Sequence, residues 1–290
     1  MKKIAFLGCE NGHVNTFLNF IKNDPQYSDI EVLGVYSNEK EQPINYNKKY
    51  GCPIMNNYDD LVGQVDGIVV TARDGANHLK YAKPYLESGI PMFIDKPITV
   101  SEEDALELIK LAKQYGVQLT GGSSGRFDDF VLSLKKAHQE NEFGKTLSGY
   151  VRCPIVMNSP YGGFYFYAQH LTEIVCEIFS RYPTSVFAKQ KEKTVTVLFN
   201  FLDFTITGVF VDESFEVYYA LRMTDKNIQS SNFKLDGSNP CFKREFQEFV
   251  DLLNGEKQVK SYEDFIAPVF VMNAIDRSLK SGKEELVHKF

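Results

Sequence analysis

The chain has 290 residues, enough for about two domains at roughly 150 residues each. Its 43% hydrophobic and 24% charged residues are ordinary globular values, which exclude a disordered or fibrous chain. Thirty-two Lys and Arg against 38 Asp and Glu give a net charge of −6, which argues against nucleic-acid or anionic-membrane binding, since either needs a basic face. The five cysteines, Cys9, Cys52, Cys153, Cys176 and Cys241, are scattered and form no C-x-x-C, so reduced thiols are expected rather than a disulfide framework or a cysteine-based metal site. The apolar run after Met1 stops at Glu10, too short for a signal-peptide core, and nowhere do about 18 apolar residues follow one another. A cytoplasmic protein is the expectation.

The first 120 or so residues alternate strand-like and helix-like patterns. Ile4–Leu7 is a short apolar run, followed by Gly8, Gly12 and an amphipathic stretch with Val14, Phe17, Leu18 and Ile21. Strands are predicted over Ile30–Tyr36, Gly67–Ala72, Pro91–Ile94 and Val117–Thr120, and helices over Ala76–Leu86 and from Ser101 through Ala112. The polar stretch after Tyr36, rich in Asn and Lys, carries no periodic signal. Strands separated by helices imply crossover connections and a doubly wound parallel sheet. After Gly121-Gly122 the pattern changes. Helices are predicted over Phe130–His138 and Phe164–Arg181, a strand over Ser148–Met157, and four strand-like runs between Ser185 and Met223. Two helices, Phe242–Leu253 and Tyr262–Leu279, close the chain. The fold expected is α/β: a Rossmann domain over residues 1–121, then an α+β domain with a largely antiparallel open sheet over residues 122–290, whose closing helix is free to pack back on the first. Phe199, Phe201, Phe204, Phe210 and Phe215 suit either an exposed apolar sheet face or an ordinary core.

Three places bear chemistry. A strand ending in Gly8 and leading into a helix can present unpaired N–H groups to a pyrophosphate. The residues are Gly8-Cys9-Glu10-Asn11-Gly12-His13, with Glu10 and His13 where G-x-G-x-x-G has its second and third glycines. A plain turn between strand and helix would also use glycine. At the end of the next strand, Ser37 and Asn38 stand where a carboxylate would hold an adenosine ribose, with Glu39 and Lys40 beyond. That pair beside a lysine leaves room for a 2′-phosphate, or is simply a polar turn. Asp95-Lys96-Pro97 follows Pro91–Ile94 at a strand's carboxyl end, where open α/β sheets bind ligands, and a lysine there can donate to a hydroxyl or carbonyl oxygen. His13, His78 and His170 lie on separate elements without clustered carboxylates, so no metal site is expected.

Ile94-Asp95-Lys96-Pro97-Ile98-Thr99 resembles the Glu-Lys-Pro signature of the Gfo/Idh/MocA family of NAD(P)-dependent oxidoreductases. Thr71-Ala72 with Asn77-His78 upstream, Gly121 to Phe127, Phe143 to Leu147, and the closing helices around Phe246, Phe249, Asn254-Gly255 and Ala274 to Lys283 are similar to further family segments. His170 aligns with the family's histidine on the second-domain helix, while Phe166 stands in place of its aspartate and Asp95 in place of its glutamate. Glu173, one turn on, either orients the imidazole or faces solvent.

The resemblance implies hydride transfer between NAD or NADP and a hydroxyl-bearing carbon of a sugar, polyol or related small molecule. It assigns catalysis to Lys96 and His170, with Tyr167 offering a replacement hydroxyl. It assigns cofactor binding to Gly8, Glu10, Asn11, Gly12, His13, Ser37, Asn38, Thr71, Arg73, His78, Asp95, Lys96 and Arg126. It also implies a homo-oligomer, a dimer or tetramer. The rival expectation, motivated by Glu10, Asp95 and Phe166, is a regulatory family member that binds cofactor or sugar without turnover. Of the 39 Phe and Tyr residues, 27 follow residue 123, so a substrate wall and a subunit interface are both expected in the second half.

Overall fold

The structure, a computed structural model, describes residues 1–179, 182–236 and 239–289. The chain divides into two compact units. The first comprises residues 1–99, 103–122 and 242–265, the second residues 100–102, 123–241 and 266–290.

In the first unit β1 (Lys2–Leu7), β2 (Ile30–Tyr36), β3 (Gly67–Val70), β4 (Met92–Asp95) and β5 (Leu119–Gly122) form one parallel sheet in the order β2-β1-β3-β4-β5. The helices that connect them are α1 (Gly12–Asn23), α2 (Glu41–Tyr50), α3 (His78–Leu86) and α4 (Glu102–Tyr115). Every residue of β3, β4 and β5 is buried, as helices over both faces of a parallel sheet require. The winding direction switches after β2, so that β3 lies on the other side of β1 and the ends of β1 and β3 flank the point where ligands bind in such sheets.

Residues 242–265 join this unit, where the sequence had placed them in the second domain. The reason is packing. On α7 (Cys241–Leu253), Phe246, Phe249, Val250 and Leu253 share a core with Ile4, Phe6, Phe17, Tyr27 and Phe93. Phe246 stacks on Phe17 at 4.9 Å between ring centroids and meets Tyr27 edge-on at 5.1 Å.

The helix α2 gave no periodic signal because only Pro43 and Tyr46 on it are buried. Its stop was visible: Gly51 takes the left-handed conformation, φ 76°, that ends many helices.

The second unit is built on a seven-stranded sheet in the order β11-β10-β6-β9-β8-β7-β12. Its strands are β6 (Ser148–Ile155), β7 (Ser185–Lys191), β8 (Thr194–Asn200), β9 (Thr205–Asp212), β10 (Tyr218–Met223), β11 (Ile228–Phe233) and β12 (Glu285–Leu286). All neighbours are antiparallel except β6 and β9. The helix α5 (Asp129–Gln139) follows β5, and α6 (Tyr165–Ile178) lies against the sheet. A Cβ on Gly208 would fall 2.8 Å from Leu171 and 2.6 Å from Phe199, so glycine lets α6 approach β9 closely. The predicted helix over Phe164–Arg181 is seen as α6, and its last two residues, Ser180 and Arg181, lie outside the described residues.

Alternating burial along β8 and β9 leaves one sheet face packed and the other half-exposed. The five phenylalanines therefore divide: Phe199 and Phe210 are core, Phe201 and Phe204 are half-buried, and Phe215 is exposed. The strand β11 escaped the sequence reading because Ile-Gln-Ser-Ser-Asn-Phe buries nothing fully, and pairing with β10 alone makes it a strand. The helix α8 (Tyr262–Ser281) closes the chain. All five cysteines are buried and unbridged.

Candidate functional site

The first cluster lies at the strand ends of the parallel sheet. Gly8, at φ +82°, turns the chain out of β1, and a Cβ there would fall 2.4 Å from the backbone of Ala72. The turn is stitched to the end of β2: the backbone N–H groups of Gly8 and Cys9 both donate to Tyr36 O, each at 2.8 Å. Asn11 caps α1 by accepting from His13 N at 3.1 Å. Gly12 opens the helix on the surface, where an added Cβ would meet nothing within 4 Å. Room is thus left at a helix N-terminus, the place suited to a phosphate.

Glu10 reaches from this turn across two strand ends. Its Oε2 accepts from the Ser37 hydroxyl at 2.6 Å, and its Oε1 accepts from Arg73 N at 3.0 Å. Ser37 Oγ in turn accepts from Glu39 N. Asn38 is held by tyrosines: it accepts from Tyr36 Oη at 2.6 Å and donates to Tyr81 Oη at 2.7 Å.

Asp95 ends β4 with no exposure at all. Its Oδ2 accepts from Asn11 Nδ2 at 3.0 Å and lies 2.9 Å from His13 Nδ1, while its Oδ1 accepts from the Lys96 backbone N–H at 2.7 Å. Burial pushes this carboxyl up, but His13 and Lys96 outweigh it and hold the group below the usual aspartate range. The Lys96 side chain is buried too, and burial pulls its ammonium below the usual lysine value against the opposing pull of Asp95 and Glu245.

Glu245, wholly buried on α7, is a group the sequence reading missed. Its signal was present: a carboxylate on the face of α7 that carries Phe242, Phe246 and Phe249.

Thr71, His78 and Asp95, among the residues assigned to the cofactor, expose nothing and brace the strand ends. Thr71 Oγ1 donates to Gly8 O at 3.0 Å, and His78 Nε2 lies 2.8 Å from Ala72 O. Burial lowers the His78 imidazole below the usual histidine range, so it is a neutral strut.

The second cluster belongs to the second unit. On α6, His170 Nδ1 lies 2.7 Å from Ser123 Oγ, and that oxygen also accepts from Gly125 N at 3.1 Å. The ring is nearly buried, with Tyr167 at 5.1 Å and Tyr218 at 5.8 Å between centroids. Burial, with Glu216 adding to it, pushes the Tyr167 hydroxyl up to about 12.

Glu173 does not face solvent. It is fully buried, its Oε2 accepts from Ser123 N at 2.8 Å and Gln169 Nε2 at 2.9 Å, and its Oε1 lies 3.6 Å from Arg126 Nε. Arg126, placed by the sequence among the cofactor residues, is drawn into this buried ion pair and lies over the Phe127 ring at 3.7 Å. Ser123 was not singled out, and it now links His170 to the Glu173 cluster. Phe166 packs against Tyr161 at 5.5 Å. The structure brings Gly8 to His13, Ser37, Asn38, Arg73, Asp95 and Lys96 together in the first unit, while Tyr167, His170 and Arg126 belong to the second.

Among the described residues no three His, Cys, Asp or Glu side chains are grouped to hold a metal ion, and no helix is long and apolar enough to cross a membrane.

Residues 2–123 match the family described as an oxidoreductase family with an NAD-binding Rossmann fold. The chain is 31% identical over 146 residues to inositol 2-dehydrogenase of Rhodococcus jostii, covering 50% of this chain and 38% of that one. It is 28% identical over 151 residues to glucose-6-phosphate 3-dehydrogenase of Bacillus subtilis, covering 51% of this chain and 41% of that one. The chain thus spans about two fifths of the length of these curated relatives. The crystal structure of scyllo-inositol dehydrogenase from Lactobacillus casei with bound NAD(H) and scyllo-inositol aligns over 99% of both chains, with a TM-score of 0.84 at 15% identity, and so shares the fold. Residues 2–123 thus match the NAD-binding Rossmann segment of the Gfo/Idh/MocA oxidoreductases, and the chain shares the fold of solved dehydrogenases along its length.

Proposed function

We propose that the protein is an NAD(P)-dependent dehydrogenase that moves a hydride between the nicotinamide and a hydroxyl-bearing carbon of a sugar, polyol or related small molecule. The observation that carries this reading is Lys96: a buried lysine at the carboxyl end of β4, its ammonium pulled by burial below the usual lysine value, beside a fixed carboxylate. The first unit fits a dinucleotide. The open N-terminus of α1 suits the pyrophosphate, and Glu10, Ser37 and Asn38 line the end of β2 where an adenosine ribose belongs. The nicotinamide supplies the hydride acceptor or donor.

This chain's own residues supply placement and proton handling. Lys96 Nζ hydrogen-bonds the substrate oxygen, steadies the charge that gathers on it, and takes or returns its proton. Asp95, pinned by Asn11 and Lys96 N, fixes the ammonium's surroundings. His170, oriented by Ser123, takes the proton-relay role that the resemblance assigns, with Tyr167 beside it. The second unit binds the substrate and carries the subunit interface of a cytoplasmic homo-oligomer. The inositol and sugar-phosphate dehydrogenases among the relatives support the substrate class.

The test is a screen of polyols, sugars and sugar phosphates with NAD and NADP, following reduced-nicotinamide absorbance. Turnover with one of these classes is the expected result. Cofactor binding without turnover across the panel would instead favour the regulatory family member.

A further inference from the structure

We propose that Glu10, delivered from the β1–α1 turn, is the residue that receives the adenosine ribose diol and makes the protein select NAD over NADP; this rests on the dehydrogenase reading above. In dinucleotide-binding sheets the ribose 2′-hydroxyl is met by a carboxylate at the end of the second strand, and its loss opens the place to a 2′-phosphate. The strand β2 here ends without one, in Ser37-Asn38. Read alone, that ending with Lys40 beyond it accommodates a phosphate.

Three contacts reverse that reading. The turn carrying Glu10 is fastened to the end of β2 by the bonds from Gly8 N and Cys9 N to Tyr36 O. The Glu10 carboxylate then lies against the end of β2, 2.6 Å from Ser37 Oγ. Finally, Arg73 N holds the other carboxylate oxygen at 3.0 Å, so the group is fixed from both sides.

Ser37 and Asn38 are themselves committed to the scaffold. The Ser37 hydroxyl gives its proton to Glu10 and accepts from Glu39 N, and the Asn38 amide joins Tyr36 and Tyr81. The carboxylate is felt throughout this corner: after burial and the neighbouring tyrosine in each case, its charge helps raise the Tyr36 and Tyr81 hydroxyls. Glu10 is only half-buried, and each of its oxygens has a second lone pair to accept from a ribose hydroxyl. The same charge repels a 2′-phosphate. Lys40 is exposed, where a flexible ammonium offers weak compensation.

Glu10 thus occupies the second glycine position of the turn and does the work normally done by an acid about twenty residues later. The departure from the glycine pattern and the missing carboxylate on β2 are two halves of one substitution.

The experiment is calorimetric titration of NADH and NADPH into the wild-type protein, Glu10→Gln and Ser37→Ala. Wild type should bind NADH on the order of tenfold or more tighter, the size expected for a hydrogen bond to a charged group. Glu10→Gln should weaken NADH by about tenfold while leaving NADPH unchanged or tighter, closing the gap. Ser37→Ala, which frees the carboxylate from one anchor, should narrow it less, and wild-type selectivity stands as a test even if Glu10→Gln does not fold. Equal binding of the two cofactors by wild type, NADPH preference removed by Lys40→Ala, or an equal change for both cofactors in Glu10→Gln would overturn the assignment alone. Absence of binding by either cofactor would overturn it together with the dehydrogenase reading.

Discussion

At the end of β4, Asp95 and Lys96 are buried side by side, with His13 and Glu245 as further ionisable neighbours. On α6, His170 instead meets the Ser123 hydroxyl, and the buried charges Glu173 and Arg126 answer each other. The difference follows from the elements that carry them. A parallel strand aims the residue after its last pairing at the sheet's ligand edge, so chemistry there is written in consecutive residues. A helix packed on a sheet gathers partners from distant segments, and its chemistry exists only once the packing does. The first cluster should therefore respond to mutation as a reaction centre, the second as a positioning network.

Lys96→Ala gives the largest effect expected on the strand-end side: kcat/KM should fall about a thousandfold, the usual scale for a lost proton-transfer group, with NADH affinity nearly unchanged by calorimetry. An active variant would remove Lys96 from the mechanism. Next comes the core beneath that cluster. Phe246→Ala empties a site stacked on Phe17 and should cost about 4 kcal/mol in denaturant unfolding; a loss under about 1 kcal/mol would mean α7 is not part of this core.

Asp95→Asn, breaking a buried charge pair, should cost about 3 kcal/mol at neutral pH. The sign with pH follows from its lowered folded value. Its stabilisation is present above the unfolded aspartate value near 4 and is lost as pH falls through the folded value, so wild type should lose stability more steeply than the variant below about pH 4. Parallel acid limbs would contradict this. Gly8→Ala should cost about 2 kcal/mol, from the left-handed backbone and the clash with Ala72. Ser123→Ala is the smallest: kcat should drop roughly tenfold or less, with KM and the melting temperature little changed. An unchanged kcat would reduce Ser123 to packing.

The same contrast explains what the sequence made legible. The parallel sheet, the turn at Gly8 and Asp95-Lys96 could be read because short apolar runs and strand-end polar residues are local signals. The helix α2 could not, since two buried residues in ten make no stripe, nor could β11, whose strand character comes from its partner. Residues 242–253 were read as a helix, but which core it would join depends on Phe246 meeting Phe17 some 230 positions away. Glu10 shows the limit most clearly. Seen as a sequence position it is a defect in a glycine motif; placed beside Ser37 it is the carboxylate that β2 lacks.

The central claim, that the strand ends of the first unit hold a nicotinamide dinucleotide, is tested most directly by hydrogen–deuterium exchange with and without NADH. Protection concentrated at residues 8–13 and 36–39 is the predicted result. Protection absent from both segments, or confined to residues 123–241, would contradict the account.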